Sequence, residues 1–271
     1  MVPAAFFVLL AAALSLAMML AWLSVLAGSK SGWVDATWSF LLGAAGLVAA
    51  LTPLSGWEGE FARRLAVAVA AGVSASRLGL HIAHRTLGGG EDPRYAKLRE
   101  EWGARWRFRL LVFLEIQAGA ALLLAGTIFL AARNPAPGLQ WTDVGGFLIL
   151  LVAIVGEGIA DAQLARFRSD PAHKDQVCDV GLWGFSRHPN YFFQWLGWTG
   201  YAVIAIGPVG GWPLGWAAVA GPVFMYWLLV HVSGIPPLEA HMWRTRGPAF
   251  AAYVERVNAF WPGPQTKEVS R

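Results

Sequence analysis

The sequence has little charge and almost no cysteine. Asp, Glu, Lys and Arg make up 14% of its 271 residues, against about 25% in soluble domains. Its single cysteine, Cys178, excludes an intramolecular disulfide and a metal cluster built from cysteines alone, and we predict no metal site. Hydrophobic residues make up 56% of the chain, and 15 residues are tryptophan. This composition indicates a polytopic membrane protein.

Seven apolar segments are long enough to cross a bilayer. We therefore predict an all-α fold, a polytopic membrane helical bundle of seven transmembrane helices that forms a single integral membrane domain, 1–271. The first segment is longer than the apolar core of a signal peptide and no basic region precedes it, so we expect it to be retained. The predicted spans are 3–27, 33–54, 61–83, 108–132, 141–163, 191–210 and 212–234, followed by a tail, 235–271.

The distribution of basic residues predicts the topology. If the N-terminus is outside, 17 of the 21 Lys and Arg residues lie in the loops after spans one, three and five and in the tail, counting Arg109 at the adjoining end of the fourth span. Only Arg63, Arg64 and Arg133 fall on the other side, and Arg77 lies inside a span. Because Lys and Arg accumulate in cytoplasmic loops, these segments and the C-terminus are predicted to be cytoplasmic. The same bias of Lys and Arg toward one side of the membrane explains the net charge of +4, so we predict no nucleic-acid partner. The Ala- and Trp-rich composition of the spans suggests a bacterial inner membrane.

Several ionisable residues fall inside the predicted spans, where each costs a few kcal/mol. One interpretation is that they form buried pairs between helices, for example Arg77 with Glu115. The other is a polar cavity open to the cytoplasm, which the crowding of these residues toward the cytoplasmic ends of the spans favours. They are Asp35, Arg77, His81, Glu115, Glu157, Asp161 and His231.

Two loops and one span end are rich in polar side chains that suit a nucleotide. Asp161 and Arg168 are seven residues apart, so they share one helix face if the helix continues, and an arginine offers donors for a phosphate. Alternatively, Arg166 and Arg168 contact lipid headgroups. The loop "HRTLGGGEDPRYAKLREEWGARWR" places Arg94 and Tyr95 after a glycine triplet, which predicts either a ligand loop or a plain flexible loop. The third segment, "GLWGFSRHPNYF", predicts a pocket wall or a helix start at the membrane surface.

In combination these segments resemble the steroid 5-alpha-reductase superfamily, in particular its bacterial branch with the C-terminal domain of 3-oxo-5-alpha-steroid 4-dehydrogenases. The resemblance extends from His81 to the C-terminus. It rests on "HIAHRT", "GGGEDPRY", "GEGIADAQLARFR", "GLWGFSRHPNYF", "VSGIPPLE" and "YVERVNAFWP". It implies seven membrane helices around a cytoplasmic nucleotide pocket for NADPH. It also implies reduction of the carbon–carbon double bond of a conjugated, enone-type lipid or steroid-like substrate.

The resemblance also implies which residues form the site. The family holds the substrate ketone with a tyrosine in the "HIAHRT" stretch, where this chain has Ile82, so His81 and Asp35 are the predicted catalytic residues. Apart from the substrate and membrane lipids, no obligate protein partner is expected. The predicted cofactor-binding residues are Arg85, Arg94, Tyr95, Glu157, Asp161, Arg168, Trp183, Arg187, His188, Asn190, Tyr191 and Glu239.

A second enzyme class shares part of the pattern. Membrane methyltransferases that use S-adenosylmethionine, of the isoprenylcysteine methyltransferase-like type, also have "RHPNY" and a glutamate in a cytoplasmic tail. The spacing from Asp161 to Arg168 favours the reductase, as does Gln194, where those methyltransferases often have glutamate.

Overall fold

The computed structural model describes residues 1–208 and 211–265, and over these residues the chain is helical without a β-strand. Short 3-10 helices occupy Gly103–Arg105, Pro171–His173, Gly181–Gly184 and Pro213–Val219, and a π-helix occupies Leu228–Val232. The α-helices are α1 (Pro3–Leu26), α2 (Gly32–Leu51), α3 (Phe61–Gly88), α4 (Pro93–Trp102), α5 (Trp106–Ala132), α6 (Trp141–Ser169), α7 (Pro189–Ile206), α8 (Ala220–Trp227) and α9 (Ile235–Arg256).

Six helical segments of the described chain are long and apolar enough to cross a membrane, which supports a multi-pass integral membrane protein. They are Pro3–Leu26, Gly32–Leu51, Phe61–Gly88, Pro93–Ala132, Trp141–Ser169 and Pro213–Arg256. The predicted count was seven. The helix that is not among them is α7, which corresponds to the predicted span 191–210 but ends at Ile206. Its first half carries the polar residues Asn190 and Gln194, which lower its hydropathy.

Helix boundaries depart from the prediction mainly at the polar ends of the spans. Helices α3 and α6 continue five and six residues beyond predicted ends at 83 and 163. The predicted span 212–234 is a series of short helices rather than one α-helix. The tail contains α9, which is kinked at Gly247, where φ is 42° and Pro248 follows. Lys267 and Arg271, counted in the tail, and residues 209–210 of a predicted span lie outside the described residues.

The chain divides into two compact units, Met1–Gly145 with Tyr201–Ala220 and Gly146–Gly200 with Gly221–Arg271. In the first unit, small residues let α2 and α3 approach closely. A Cβ added at Gly43 would collide with the Cβ of Ala75, and one at Gly46 would lie 2.8 Å from the Ile128 side chain of α5. Such close backbone contact is the usual way that membrane helices pack, since burial in lipid gives no hydrophobic gain.

In the second unit, glycine residues likewise let α6 and α7 approach closely. A Cβ added at Gly156 would overlap the ring of Phe193, and one at Gly200 would lie 2.8 Å from the carbonyl oxygen of Gly146. The close approach brings residue 161 of α6 near the first turn of α7, where the candidate site of this unit lies.

Candidate functional site

A polar cluster in the first unit joins the start of α2 to the start of α4. The Tyr95 hydroxyl donates to Asp35 Oδ1 at 2.8 Å, and the Arg94 guanidinium forms an ion pair with the other oxygen of Asp35. Asp92 caps α4 by accepting from the Arg94 backbone N–H at 2.9 Å and also accepts from the Arg94 side chain at 2.9 Å. We call Asp35, Asp92, Arg94 and Tyr95 the α2–α4 cluster.

The loop that leads into this cluster is fastened at several points. Lys30 donates to the Thr86 and Gly89 carbonyl oxygens at 3.1 and 2.6 Å, which binds the exposed carbonyls at the end of α3. The Glu91 carboxylate accepts from the Ser31 backbone N–H at 3.3 Å. These contacts hold the glycine-rich segment against the start of α2 and the end of α3.

Electrostatics favour charged groups in the cluster. Burial raises the pKa of Asp92, but the hydrogen bond and charge of Arg94 and the charge of Arg85 outweigh it, so this pKa lies below its usual value. Arg85 lies 3.5 Å from Asp92 and its side chain is 54% exposed. Tyr95 is buried and packs edge-to-face on Phe113 with ring centroids 6.2 Å apart. The cluster can therefore present a fixed hydroxyl backed by a carboxylate.

The predicted donor His81 lies on α3, one turn before Arg85, and is exposed. Asp35, the other predicted donor, is an acceptor here, because both its oxygens receive hydrogen bonds. Glu115 of α5 accepts from the hydroxyl of Ser15 of α1 at 2.7 Å.

The second unit brings Asp161 and Asn190 together. Helix α6 continues without interruption through Ser169, so Asp161 and Arg168 lie on one helix, two turns apart. The Asn190 side-chain amide donates to Asp161 Oδ1 at 3.3 Å, and its own oxygen accepts from the Tyr191 backbone N–H at 3.0 Å. Both side chains are partly exposed, and Arg168 is exposed, whereas Glu157, one turn before Asp161, is buried.

The segment "RHPNY" makes a second set of contacts within the same unit. Arg187 donates to Glu239 Oε1 at 2.8 Å and to the Val257 carbonyl oxygen at 2.6 Å, and His188 Nε2 lies 3.0 Å from the same Glu239 oxygen. We call Arg187, His188 and Glu239 the clasp, because they join the start of α7 to α9. Burial lowers the pKa of His188, and the nearby charge of Arg187 acts in the same direction, although Glu239 opposes it. The His188 ring also stacks on Tyr191, with centroids 5.5 Å apart.

Trp183 is buried beneath these contacts. Its indole N–H donates to the Ala160 carbonyl oxygen at 2.9 Å, and its own carbonyl oxygen accepts from the Tyr253 hydroxyl at 2.6 Å. The Leu182 backbone N–H donates to Gln163 of α6 at 2.9 Å. The aromatic residue thus ties the loop before α7 to both α6 and α9.

The prediction missed several residues that position the site. Ser186 donates to the Phe260 carbonyl oxygen at 3.0 Å and accepts from the His188 backbone N–H at 3.1 Å. Tyr253 and Gln163 were not singled out either. Asp92 was noted only as part of a loop, although Asp followed by Pro is a usual helix start and could have identified it as the cap of α4.

A protein-family model matches residues 21–257 of the chain, and its description is "Protein of unknown function (DUF1295)". No curated protein and no solved structure shows significant similarity to the chain.

Proposed function

We propose that this chain, which belongs to the DUF1295 family, is an NADPH-dependent membrane reductase of the carbon–carbon double bond of a conjugated, enone-type lipid or steroid-like substrate. One observation carries the proposal. In the second unit Asn190 is hydrogen-bonded to Asp161, and α6 extends from Asp161 to the exposed Arg168. An amide, a carboxylate and a guanidinium in this order suit a nucleotide, which has hydrogen-bonding groups at one end and phosphates further along.

The described residues fit the cofactor in part. Asn190 and Asp161 are partly exposed and would hold a hydroxyl or carboxamide group, and Arg168 would hold a phosphate. Trp183 is buried, and the clasp residues already bond to one another, so their part in this proposal is to position Asn190 at the start of α7. NADPH, when bound, supplies the hydride that the β-carbon of an enone accepts.

The substrate carbonyl also needs a hydrogen-bond donor, because negative charge develops on its oxygen as the β-carbon is reduced. In the first unit, Tyr95 supports this role, since its hydroxyl is fixed by Asp35. Tyr95 would turn its single hydroxyl hydrogen from Asp35 to the enolate oxygen, and Arg94 would keep its ion pair with Asp35. His81 is the second candidate donor, because an imidazole N–H can donate a hydrogen bond.

The same proposal includes the topology. We place α7 across the membrane as a seventh span, the N-terminus outside and the tail inside, in a bacterial inner membrane. The bias of Lys and Arg supports this arrangement.

Nucleotide titration of the detergent-solubilised protein tests the cofactor assignment. Arg168→Ala should weaken NADPH binding by about 1.5–3 kcal/mol, the value of a hydrogen bond to a charged group, and Asn190→Ala by about 0.5–1.5 kcal/mol, the value of a neutral one. Arg166→Ala is the matched control, because Arg166 is exposed on the same helix but on a different face. Equal affinity in all four proteins would reject this site. Binding of S-adenosylmethionine without NADPH would support the methyltransferase alternative.

A further inference from the structure

The first unit contains a cavity that the proposed reductase does not use. It has a volume of about 490 Å³, within the range of small-molecule sites. Three segments line it, namely the loop between α2 and α3, the loop between α5 and α6, and the start of the 3-10 helix Pro213–Val219. The lining residues used below are Trp57, Glu58, Glu60, Arg133 and Trp212.

The loops around this cavity are held by buried polar side chains. Arg63 and Asp143 form a fully buried ion pair through two hydrogen bonds of 2.7 and 2.8 Å. Arg63 also donates to the carbonyl oxygens of Asn134, Ala136 and Gly138 at 2.8, 3.0 and 2.6 Å. Fixing loop carbonyls in this way reduces the entropy that a ligand must overcome to bind there.

Arg133 also lines the cavity. It is 2% exposed, and its terminal nitrogens donate to the carbonyl oxygens of Trp57 at 2.7 Å and of Ala49 at 3.2 Å. Gly59 has a φ of 62°, and a Cβ there would lie 2.8 Å from the Ala132 carbonyl oxygen, so this loop needs glycine to lie against α5. The guanidinium is therefore held against backbone carbonyl oxygens, and the charge of Glu58 acts on it from nearby.

Aromatic and acidic groups line the cavity as well. The rings of Trp57 and Trp212 meet at 69° with centroids 6.2 Å apart and form a corner. Glu58 and Glu60 each accept one backbone hydrogen bond, from Gly56 at 3.0 Å and Gly138 at 3.2 Å. A carboxylate can accept about four hydrogen bonds, so both retain acceptor capacity.

We propose that this cavity binds an alkylammonium group, carried by a soluble amine or by a lipid headgroup. Two tryptophan rings attract a cation through their quadrupoles, and Glu60, together with Glu58, whose charge also acts on Arg133, supplies opposite charge. A metal ion is a poorer occupant, because the described residues contain no group of three or more His, Cys, Asp or Glu side chains that could hold one. Tryptophan is also enriched at the membrane surface, where ethanolamine and choline headgroups occur.

Calorimetric titration with choline and with ethanolamine tests the site in the purified protein. The neutral analogue 3,3-dimethylbutanol has the shape of choline without its charge and should not bind. Glu58→Gln and Trp212→Leu should weaken amine binding by roughly three- to thirtyfold. Glu101→Gln and Trp216→Leu are matched controls, since both residues are exposed and do not line the cavity, and should bind as the wild type does.

Nanodiscs distinguish the two sources of the ammonium group. If the source is a lipid, nanodiscs of phosphatidylethanolamine should raise the melting temperature above that in phosphatidylglycerol, and Glu58→Gln should remove the difference. Equal binding of the neutral analogue would overturn the proposal. So would a response to phosphatidylglycerol alone, unchanged affinity in the Glu58 and Trp212 variants, or no response to either amine or to phosphatidylethanolamine.

Discussion

Arg187 and Glu239 are 52 positions apart in the chain, and Arg187 Nε donates to Glu239 Oε1 at 2.8 Å. His188 reaches the same oxygen, so two adjacent residues before α7 share one carboxylate of α9. The polar segment "RHPNY", which lies between two apolar stretches, therefore has a structural explanation. Its Arg187 side chain is bonded to Glu239 of α9, while Asn190, at the start of α7, is hydrogen-bonded to Asp161.

Breaking the clasp should destabilise the protein. Glu239→Ala leaves Arg187, whose side chain is 10% exposed, without its carboxylate. We expect a loss of about 1.5–3 kcal/mol in the free energy of unfolding, because a hydrogen bond to a charged group is lost. Thermal unfolding in detergent measures the change, and Arg244→Ala, at an exposed position of α9, should leave the melting temperature unchanged. A Glu239→Ala protein as stable as the wild type would show that the clasp contributes nothing.

The clasp should also make stability depend on pH. The folded state holds the pKa of His188 below its ordinary value of 6.5, because the ring is buried. Below pH 6.5 the unfolded chain gains a proton at this position and the folded chain does not, so stability present above pH 6.5 is lost as the pH falls. The melting temperature should fall more between pH 7.5 and 5.5 in the wild type than in His188→Gln. Equal falls in the two proteins would contradict this role for His188.

The sequence predicted the helical fold well, because spanning segments must be long and apolar to lie in lipid. It did not predict α9, which follows the last span, and its seventh span is not confirmed at α7, where the first half is polar. A hydropathy pattern indicates which segments partition into lipid. Helix α9 is instead held by contacts such as the hydrogen bond from the Tyr253 hydroxyl to the Trp183 carbonyl oxygen. Contacts of this kind join distant positions and leave no local pattern.

The candidate site was predictable only in its residue types. The spacing of Asp161 and Arg168 on one helix could be read directly, since α-helical periodicity fixes it. The contact of Asp35 with Tyr95 could not, because the two residues are 60 positions apart. The pairing of Arg63 with Asp143 was missed for the same reason, and Arg63 was counted only as a charge outside the membrane.

Cysteine labelling tests the topology. Cys178 is buried, so Cys178→Ala gives a background without a reactive thiol. In that background Lys97→Cys, at a position whose side chain is 51% exposed, should react with a membrane-impermeant maleimide only in inverted vesicles. Glu58→Cys, in the exposed loop between α2 and α3, should react in right-side-out vesicles. The reverse pattern would place the basic loops outside and refute the proposed orientation.

The last prediction concerns the proton donor. An enone reductase stabilises the developing enolate oxygen with a hydrogen-bond donor, and loss of one such donor costs roughly 10²–10³ in rate. Tyr95→Phe removes only the hydroxyl and keeps the ring packed on Phe113. We expect NADPH oxidation with an enone lipid to slow by about two orders of magnitude with NADPH affinity nearly unchanged, and the free energy of unfolding to fall by about 1.5–3 kcal/mol at most, because the bond to Asp35 is lost.

Two further variants separate Tyr95 from the donors predicted from the sequence. Asp35→Asn removes the carboxylate that holds Tyr95, so it should also slow the reaction, and its effect should not add to that of Tyr95→Phe if the two act as a unit. His81→Phe should slow the reaction by a similar factor only if His81 is the donor. Tyr226→Phe, on α8, is the matched control and should react at the original rate. If Tyr95→Phe retains full activity while His81→Phe loses it, the donor is on α3, and the contact of Tyr95 with Asp35 is structural.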